Sequence, residues 1–186
     1  MRLLLIVALF FSTGVFAEEP NTCDLEVGHP SDPRKVGPGK SSSEVKLQLA
    51  VPGCREAVKN HPDNPRFHYQ LGRALIYWAD INNGDDSEGT ESVRRAAEMD
   101  YPQALFVMGL LHKREKEACA AEPLTKRAAD LELKSARITY VHDALNGIYE
   151  GCLTVDKKIM MEYLEKAATQ VSGYYESLLL TNLKRE

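Results

Sequence analysis

Three segments of the chain follow one plan: RRAAEMDYPQALFVMG (94–109), KRAADLELKSARITYV (126–141) and EKAATQVSGYYESLLL (165–180). Each has a cation, a pair of alanines, a short polar linker and an apolar segment. The alanine pairs recur at intervals of 32 and 39 residues, the period range of stacked helical hairpins. Gly72 and Gly109 sit 37 residues apart in YQLGRAL and FVMGLL. A glycine inside a helix costs about 1 kcal/mol relative to alanine, so its recurrence marks a tight helix–helix crossing. The alanine pairs belong near the end of the second helix of each hairpin, where small side chains admit the next helix.

The N-terminus, MRLLLIVALFFSTGVFA, has a basic Arg2, an apolar run from Leu3 to Phe11, and small residues at Val15 and Ala17. This pattern predicts a secretory signal peptide over residues 1–17, too short to span a bilayer comfortably. No Cys follows Ala17, so a lipid anchor is not indicated. Loss of Arg2 with the signal takes the formal charge from −4 to −5. An acidic chain without a basic block is a poor partner for nucleic acid or an anionic membrane surface. The remaining length fits one domain. Cys23, Cys54, Cys119 and Cys152 all lie beyond the signal. An even count in an exported chain reads as two disulfides with three possible connectivities. Sequence order favours Cys23–Cys54 and Cys119–Cys152, each pair in its own half of the chain.

Residues 18–40 are rich in Pro, Gly and charge, and read as an extended, irregular arm. Ser41 and Glu44 have capping-box spacing and open a short helix, which we expect to break or kink at Pro52-Gly53. A second short helix carries Cys54. These parts form an N-terminal cap over 18–61. From 62 onward the pattern is helical. Asn64-Pro65 opens PRFHYQLGRALIYWAD, with apolar residues at Phe67, Leu71, Ala74, Leu75 and Trp78. SEGTESVRRAAEMD, PQALFVMGLLHKRE, EPLTKRAADLE, KSARITYVHDALNGIYE, VDKKIMMEYLEKAAT and YYESLLLTNLKRE follow. No segment has strand periodicity, so the expected class is all-α, built of short antiparallel helices.

The LG motif, the [KR]-x-A-A end and the Ala-containing helix that follows resemble the Sel1-like repeat, a relative of the tetratricopeptide repeat. Three units begin near Pro65, Pro102 and Lys134 and cover about residues 62–186. The third has Val141 where the others have Gly, and the last half-unit serves as a cap. CDLEVGHPSDPRKV, AVPGCREAV and HPDNPRFHYQLGRAL are similar to a leader module found before such repeats in exported bacterial proteins. The resemblance implies a short right-handed α-solenoid and makes Cys23 and Cys54 disulfide partners.

Motifs that carry chemistry are sparse. Ser43-Glu44-Val45-Lys46 spells S-x-x-K, which on a helix places nucleophile and base one turn apart. The S-D-N and K-T-G elements that accompany it are missing. His29, His61, His68, His112 and His142 form no ligand pair of the H-E-x-x-H kind, and the cysteines form no CxxC. We therefore expect no metal, no cofactor and no enzyme activity.

Helical-hairpin solenoids expose the first helix of each repeat on a concave face, where a peptide or a partner's helix can lie. Counting from the Leu-Gly position of the resemblance, this groove shows Arg66, Tyr69, Arg73 and Tyr77 in the first unit. The second shows Phe106, Leu110 and Arg114, and the third Ile138, His142 and Asn146. Leu71, Leu75, Met108 and Tyr140 fall on the core side. The expected function is that of an exported interaction module, periplasmic or extracellular, binding a protein or an acidic or amphipathic peptide segment. The alternative is an enzyme acting on the cell wall or on β-lactams, an activity linked with disulfide-rich Sel1-like proteins.

Overall fold

A computed structural model describes residues 19–152, 156–170 and 173–185; the signal peptide expected over 1–17 lies outside them. The described residues are helical, without strands. In chain order the helices are α1 (Thr22–Val27), α2 (Leu47–Asn60), α3 (Pro65–Asn82), α4 (Ser87–Glu98), α5 (Pro102–Arg114), α6 (Ala118–Asp130), α7 (Lys134–Leu145), α8 (Lys157–Ala168) and α9 (Tyr174–Leu183). Each helix from α1 to α9 packs on the next, and α1 also rests on α3.

The repeated alanine stretch proves to be a helix terminus. In the first copy the Tyr101 N–H donates to the Ala96 carbonyl and the Asp100 N–H to the Ala97 carbonyl. In the second, Leu133 donates to Ala128 and Glu132 to Ala129, with all four distances between 3.0 and 3.1 Å. These bonds satisfy carbonyls that the helix end leaves without partners, and they require a left-handed residue in the turn. Asp100 (φ 56°) and Glu132 (φ 71°) supply it. Asn83 and Lys116 take the same conformation in the turns after α3 and α5. Ala96, Ala97, Ala128, Ala129 and Ala167 are buried, while Ala168, at the end of α8, is exposed.

The matching glycines also have a physical cause. A Cβ on Gly72 would stand 2.7 Å from the Gly89 carbonyl oxygen and 2.5 Å from a Val93 methyl on α4. One on Gly109 would stand 2.6 Å from the Thr125 hydroxyl on α6. Both hairpins cross at their glycine. Val141, at the third position, is buried among core residues.

Four expectations are corrected. Residues 18–40 contain the helix α1, because Asn21 and Asp24 close a capping box: Asp24 N–H donates to Asn21 Oδ1 at 3.1 Å, and Asn21 N–H to Asp24 Oδ2 at 3.3 Å. Pro52 does not divide α2. The helix runs through it, since Leu47, Ala50, Cys54 and Ala57 form one continuous buried stripe on both sides, and burial of that stripe outweighs one lost backbone bond. Pro123 is likewise inside α6, which begins at Ala118, four residues before the pattern EPLTKRAADLE starts. Ser43 and Lys46 do not share a helix either. Ser43 belongs to a 3-10 turn (Ser42–Glu44) and Lys46 precedes α2.

The cysteines pair as Cys23–Cys54, joining α1 to α2, and Cys119–Cys152, joining α6 to the segment after α7. The loops they close separate the partners by 31 and 33 residues, worth roughly 3–4 kcal/mol each through the entropy removed from the unfolded chain. Cys23→Ala with Cys54→Ala should therefore lower the urea unfolding free energy by about 3 kcal/mol; an unchanged midpoint would contradict the pairing. Gly72→Ala gains helix propensity of about 1 kcal/mol but meets rigid backbone, and overpacking costs about 1–3 kcal/mol. We expect a net loss, and a smaller one for Gly109→Ala, which meets a rotatable hydroxyl. Denaturant melts in which Gly72→Ala is as stable as the parent would remove the tight crossing from the account.

Candidate functional site

Helix α1 and the arm that follows it are held against α3 and the head of α5 at three levels. Asp24, fully buried, accepts from Arg66 Nε at 2.9 Å and from Gln70 Nε2 at 3.1 Å. One turn further along α3, Arg73 donates through Nη1 to the Val27 carbonyl (2.6 Å), through Nη2 to the Lys40 carbonyl (2.8 Å), and through Nε to the Tyr77 hydroxyl (3.1 Å). Between these points the arm closes on itself, the Lys40 N–H donating to the Gly28 carbonyl at 2.7 Å. Farther out, the Tyr101 hydroxyl donates to the buried Asp32 carboxylate at 2.7 Å. Burial raises the Asp32 pKa against the pull of the Tyr101 hydrogen bond, and both burial and that neighbouring carboxylate push the Tyr101 phenol far above its ordinary value.

Beside the docked arm lies a cavity of about 240 Å³. The helices α3 (Tyr69, Arg73, Ile76, Tyr77), α5 (Gln103, Phe106, Val107, Leu110, Leu111) and α7 (Ser135) form its walls, with Val93 of α4 behind. The arm supplies His29 and Ser31. The lining is mainly apolar, and two of its polar residues stand out. Gln103 Oε1 and Ser135 Oγ are buried and have no hydrogen-bond partner in the protein. An unpaired buried polar atom costs about 1–3 kcal/mol, and both of these atoms belong to residues that line the cavity.

Of the ten groove residues read from the sequence, Tyr69, Arg73, Tyr77, Phe106 and Leu110 meet around this cavity. Arg66 is buried against Asp24 instead. Arg114 is exposed, 3.2 Å from Glu115 and 3.9 Å from Asp86. Ile138 lies in the core. His142 and Asn146 are exposed on α7, where Asn146 Nδ2 donates to the His142 carbonyl. Of the core-side residues, Leu71, Met108 and Tyr140 are buried and Leu75 is half-buried. The cationic character expected of the groove is thus spent within the chain, Arg66 and Arg73 holding the arm. Sequence reasoning missed His29, Ser31, Gln103 and Ser135. A signal for two of them exists: Arg66, Gln103 and Ser135 each stand second in α3, α5 and α7, a polar position repeated in register at the head of each apolar helix.

A wider depression, about 560 Å³, lies between α2, α3 and α4 and includes the 42 % exposed Trp78. The solvated Arg55–Glu88 pair lies along it, and none of the buried unpaired side-chain atoms belongs to it. Ser43 and Lys46 are both exposed, and the Ser43 hydroxyl is 3.2 Å from that of Ser41. Among the described residues no group of His, Cys, Asp or Glu is placed to hold a metal ion.

His29 is held neutral. Burial penalises its cation, Arg73 and Lys35 repel it, and together they lower its pKa from 6.5 to about 4. Its Nδ1 accepts the Ser31 N–H at 3.1 Å, a bond that needs that nitrogen unprotonated. The unfolded chain takes up this proton at higher pH than the folded one, so stability falls as pH drops from about 6.5 towards 4. Asp32, with its raised pKa, acts in the opposite sense above 3.8. Urea melts at pH 7 and pH 5 should show a loss on acidification that His29→Gln reduces; an equal loss in the variant would exclude His29 as its source.

No protein-family model matches the chain, and neither a curated protein nor a solved structure matches it.

Proposed function

We propose that the chain is an exported protein–protein interaction module, a short right-handed solenoid of Sel1-like helical hairpins whose first helices receive a segment of a partner protein. One observation carries this reading: α3, α5 and α7, the first helices of three successive hairpins, together line a single apolar cavity that contains unsatisfied polar atoms. Ligand sites have this character, an apolar lining with a few polar groups that fix orientation. Two disulfides support an oxidising compartment, extracellular or periplasmic. No helix among the described residues is long and apolar enough to cross a membrane.

Leu110 is the residue with which to test the reading, because it lines the cavity and is 40 % exposed, so a charge there is tolerated by the fold. Ile81, 70 % exposed and outside the cavity lining, is the control. Immobilised mature protein should recover a partner from the exported fraction of the source cells. Leu110→Asp should lose it by tenfold or more, on the order of one buried contact, and Ile81→Asp should retain it. Equal recovery by both variants would move the interaction off this face. Covalent labelling by a fluorescent penicillin that disappears in Ser43→Ala with Lys46→Ala would instead make the chain a cell-wall enzyme.

A further inference from the structure

We infer that the cavity between α3, α5 and α7 seats one uncharged, bulky apolar side chain of a peptide segment, with Gln103 accepting an amide N–H of that same segment. The inference deepens the reading above and rests on it.

Size comes first. About 240 Å³ exceeds the roughly 150 Å³ of an apolar cavity that admits benzene, yet lies below the roughly 300–1,000 Å³ of sites that enclose drug-sized ligands. The space therefore suits a leucine, methionine or phenylalanine side chain and is too small for a nucleotide or other large cofactor.

Charge comes second. Every group around the cavity that carries a charge in solution is already occupied or neutral. The guanidinium of Arg73 is spent on Val27, Lys40 and Tyr77. His29 stays neutral down to about pH 4. An ammonium entering the cavity would be repelled by Arg73, and a carboxylate would meet a guanidinium whose Nε, Nη1 and Nη2 already donate to neutral acceptors, so either would lose hydration for an incomplete return, which is costly. Of the acidic or amphipathic segment expected from the sequence, this favours the amphipathic one.

Polarity is the third argument, and it selects a peptide over a plain hydrocarbon. Gln103 is 3 % exposed, lines the cavity, and has its carbonyl oxygen without a protein partner. Its side chain is buried at the second position of α5, so the acceptor is pre-positioned. The Ser135 hydroxyl, also unpaired, is able to donate. One acceptor and one hydroxyl match the N–H and C=O that flank every side chain of a peptide. A hydrocarbon would leave both unsatisfied, and a hot-spot side chain set in a desolvated pocket is the usual anchor of such a contact.

The test uses capped amino acids titrated into the mature, disulfide-intact chain and followed by ¹H–¹⁵N NMR. N-acetyl-leucine and N-acetyl-phenylalanine methylamides should give saturable shifts confined to the arm, α3, α5 and the start of α7, with a dissociation constant of about 1 mM, the scale for ligands of so few atoms. N-acetyl-glutamate methylamide should bind at least tenfold more weakly. Gln103→Met keeps the side-chain length and removes the acceptor, and should weaken the leucine probe about tenfold while leaving benzene binding unchanged. Val107→Trp fills the cavity and should abolish both; if that variant fails to fold, the probe series and Gln103→Met still decide. Equal binding of the glutamate probe, shifts centred elsewhere, or no saturable shift would overturn the inference. Benzene binding as tightly as the amides, with Gln103→Met silent, would make this an apolar small-molecule site. Partner capture that is lost in Leu110→Asp while the amides fail to bind would keep the interaction module and refute only the anchor cavity. Amide binding with capture indifferent to Leu110→Asp would do the reverse.

Discussion

The ion pair between Asp24 and Arg66 organises the N-terminal half of the molecule. Removing two charges from water costs several kcal/mol per ion, and their attraction offsets this only when the remaining lone pairs are also satisfied. Here they are. Asp24 receives Arg66 Nε and Nη2, Gln70 Nε2 and the Asn21 N–H. The pair lies one residue from Cys23, whose disulfide to Cys54 fixes α1 on α2. Cross-link and charge pair together hold α1 against two helices at once. Everything the arm does farther along, from the Arg73 clamp to the Tyr101–Asp32 bond, presupposes that anchor.

The anchor explains why the open surface is not where the arginines are. Residues 66, 70, 73 and 77 rise along one stripe of α3, and the arm or its contacts occupy most of it. The arm docks on the first hairpin and reaches only the head of α5, through Asp32 and Arg34. Arg66 therefore finds Asp24, whereas Gln103 and Ser135, in the same position of the next two hairpins, have no arm to meet. The side chains at that position shorten from Arg to Gln to Ser. The space left over is the cavity.

Much of this architecture was legible in the chain. Alanine pairs, paired glycines and Asn64-Pro65 act locally, within a turn or against the adjacent helix, so their spacing reports their role. The disulfides followed from chain order. Prolines misled because local propensity was overruled by packing. Pro52 and Pro123 each stand sixth in their helices, where one missing N–H is a small loss against a stripe of buried side chains. The arm was illegible for a different reason. Its contacts span 33 residues for Arg73 to Lys40, 42 for Arg66 to Asp24 and 69 for Tyr101 to Asp32. Several end on backbone carbonyls, which carry no sequence signature. Arginines on a helical stripe look the same whether they await a partner or hold the chain's own arm.

Two cross-links flank the cavity. Cys23–Cys54 secures the arm that forms one rim, and Cys119–Cys152 ties the start of α6 to the segment beyond α7, bracing the helices that form the far wall. The glycine crossings bring α3 close on α4 and α5 close on α6, most tightly at Gly72, where backbone meets backbone. The walls are therefore set before anything enters. An association of this kind pays little for ordering the receptor, so a small apolar contact and one or two hydrogen bonds contribute most of their free energy to affinity. The C-terminal end is built otherwise: Ala168 is exposed and α9 carries exposed Leu178 and Leu179. Two of the three unsatisfied buried side-chain atoms, those of Gln103 and Ser135, belong to residues lining the cavity between these braces, and that coincidence supports the proposal of a ligand site there.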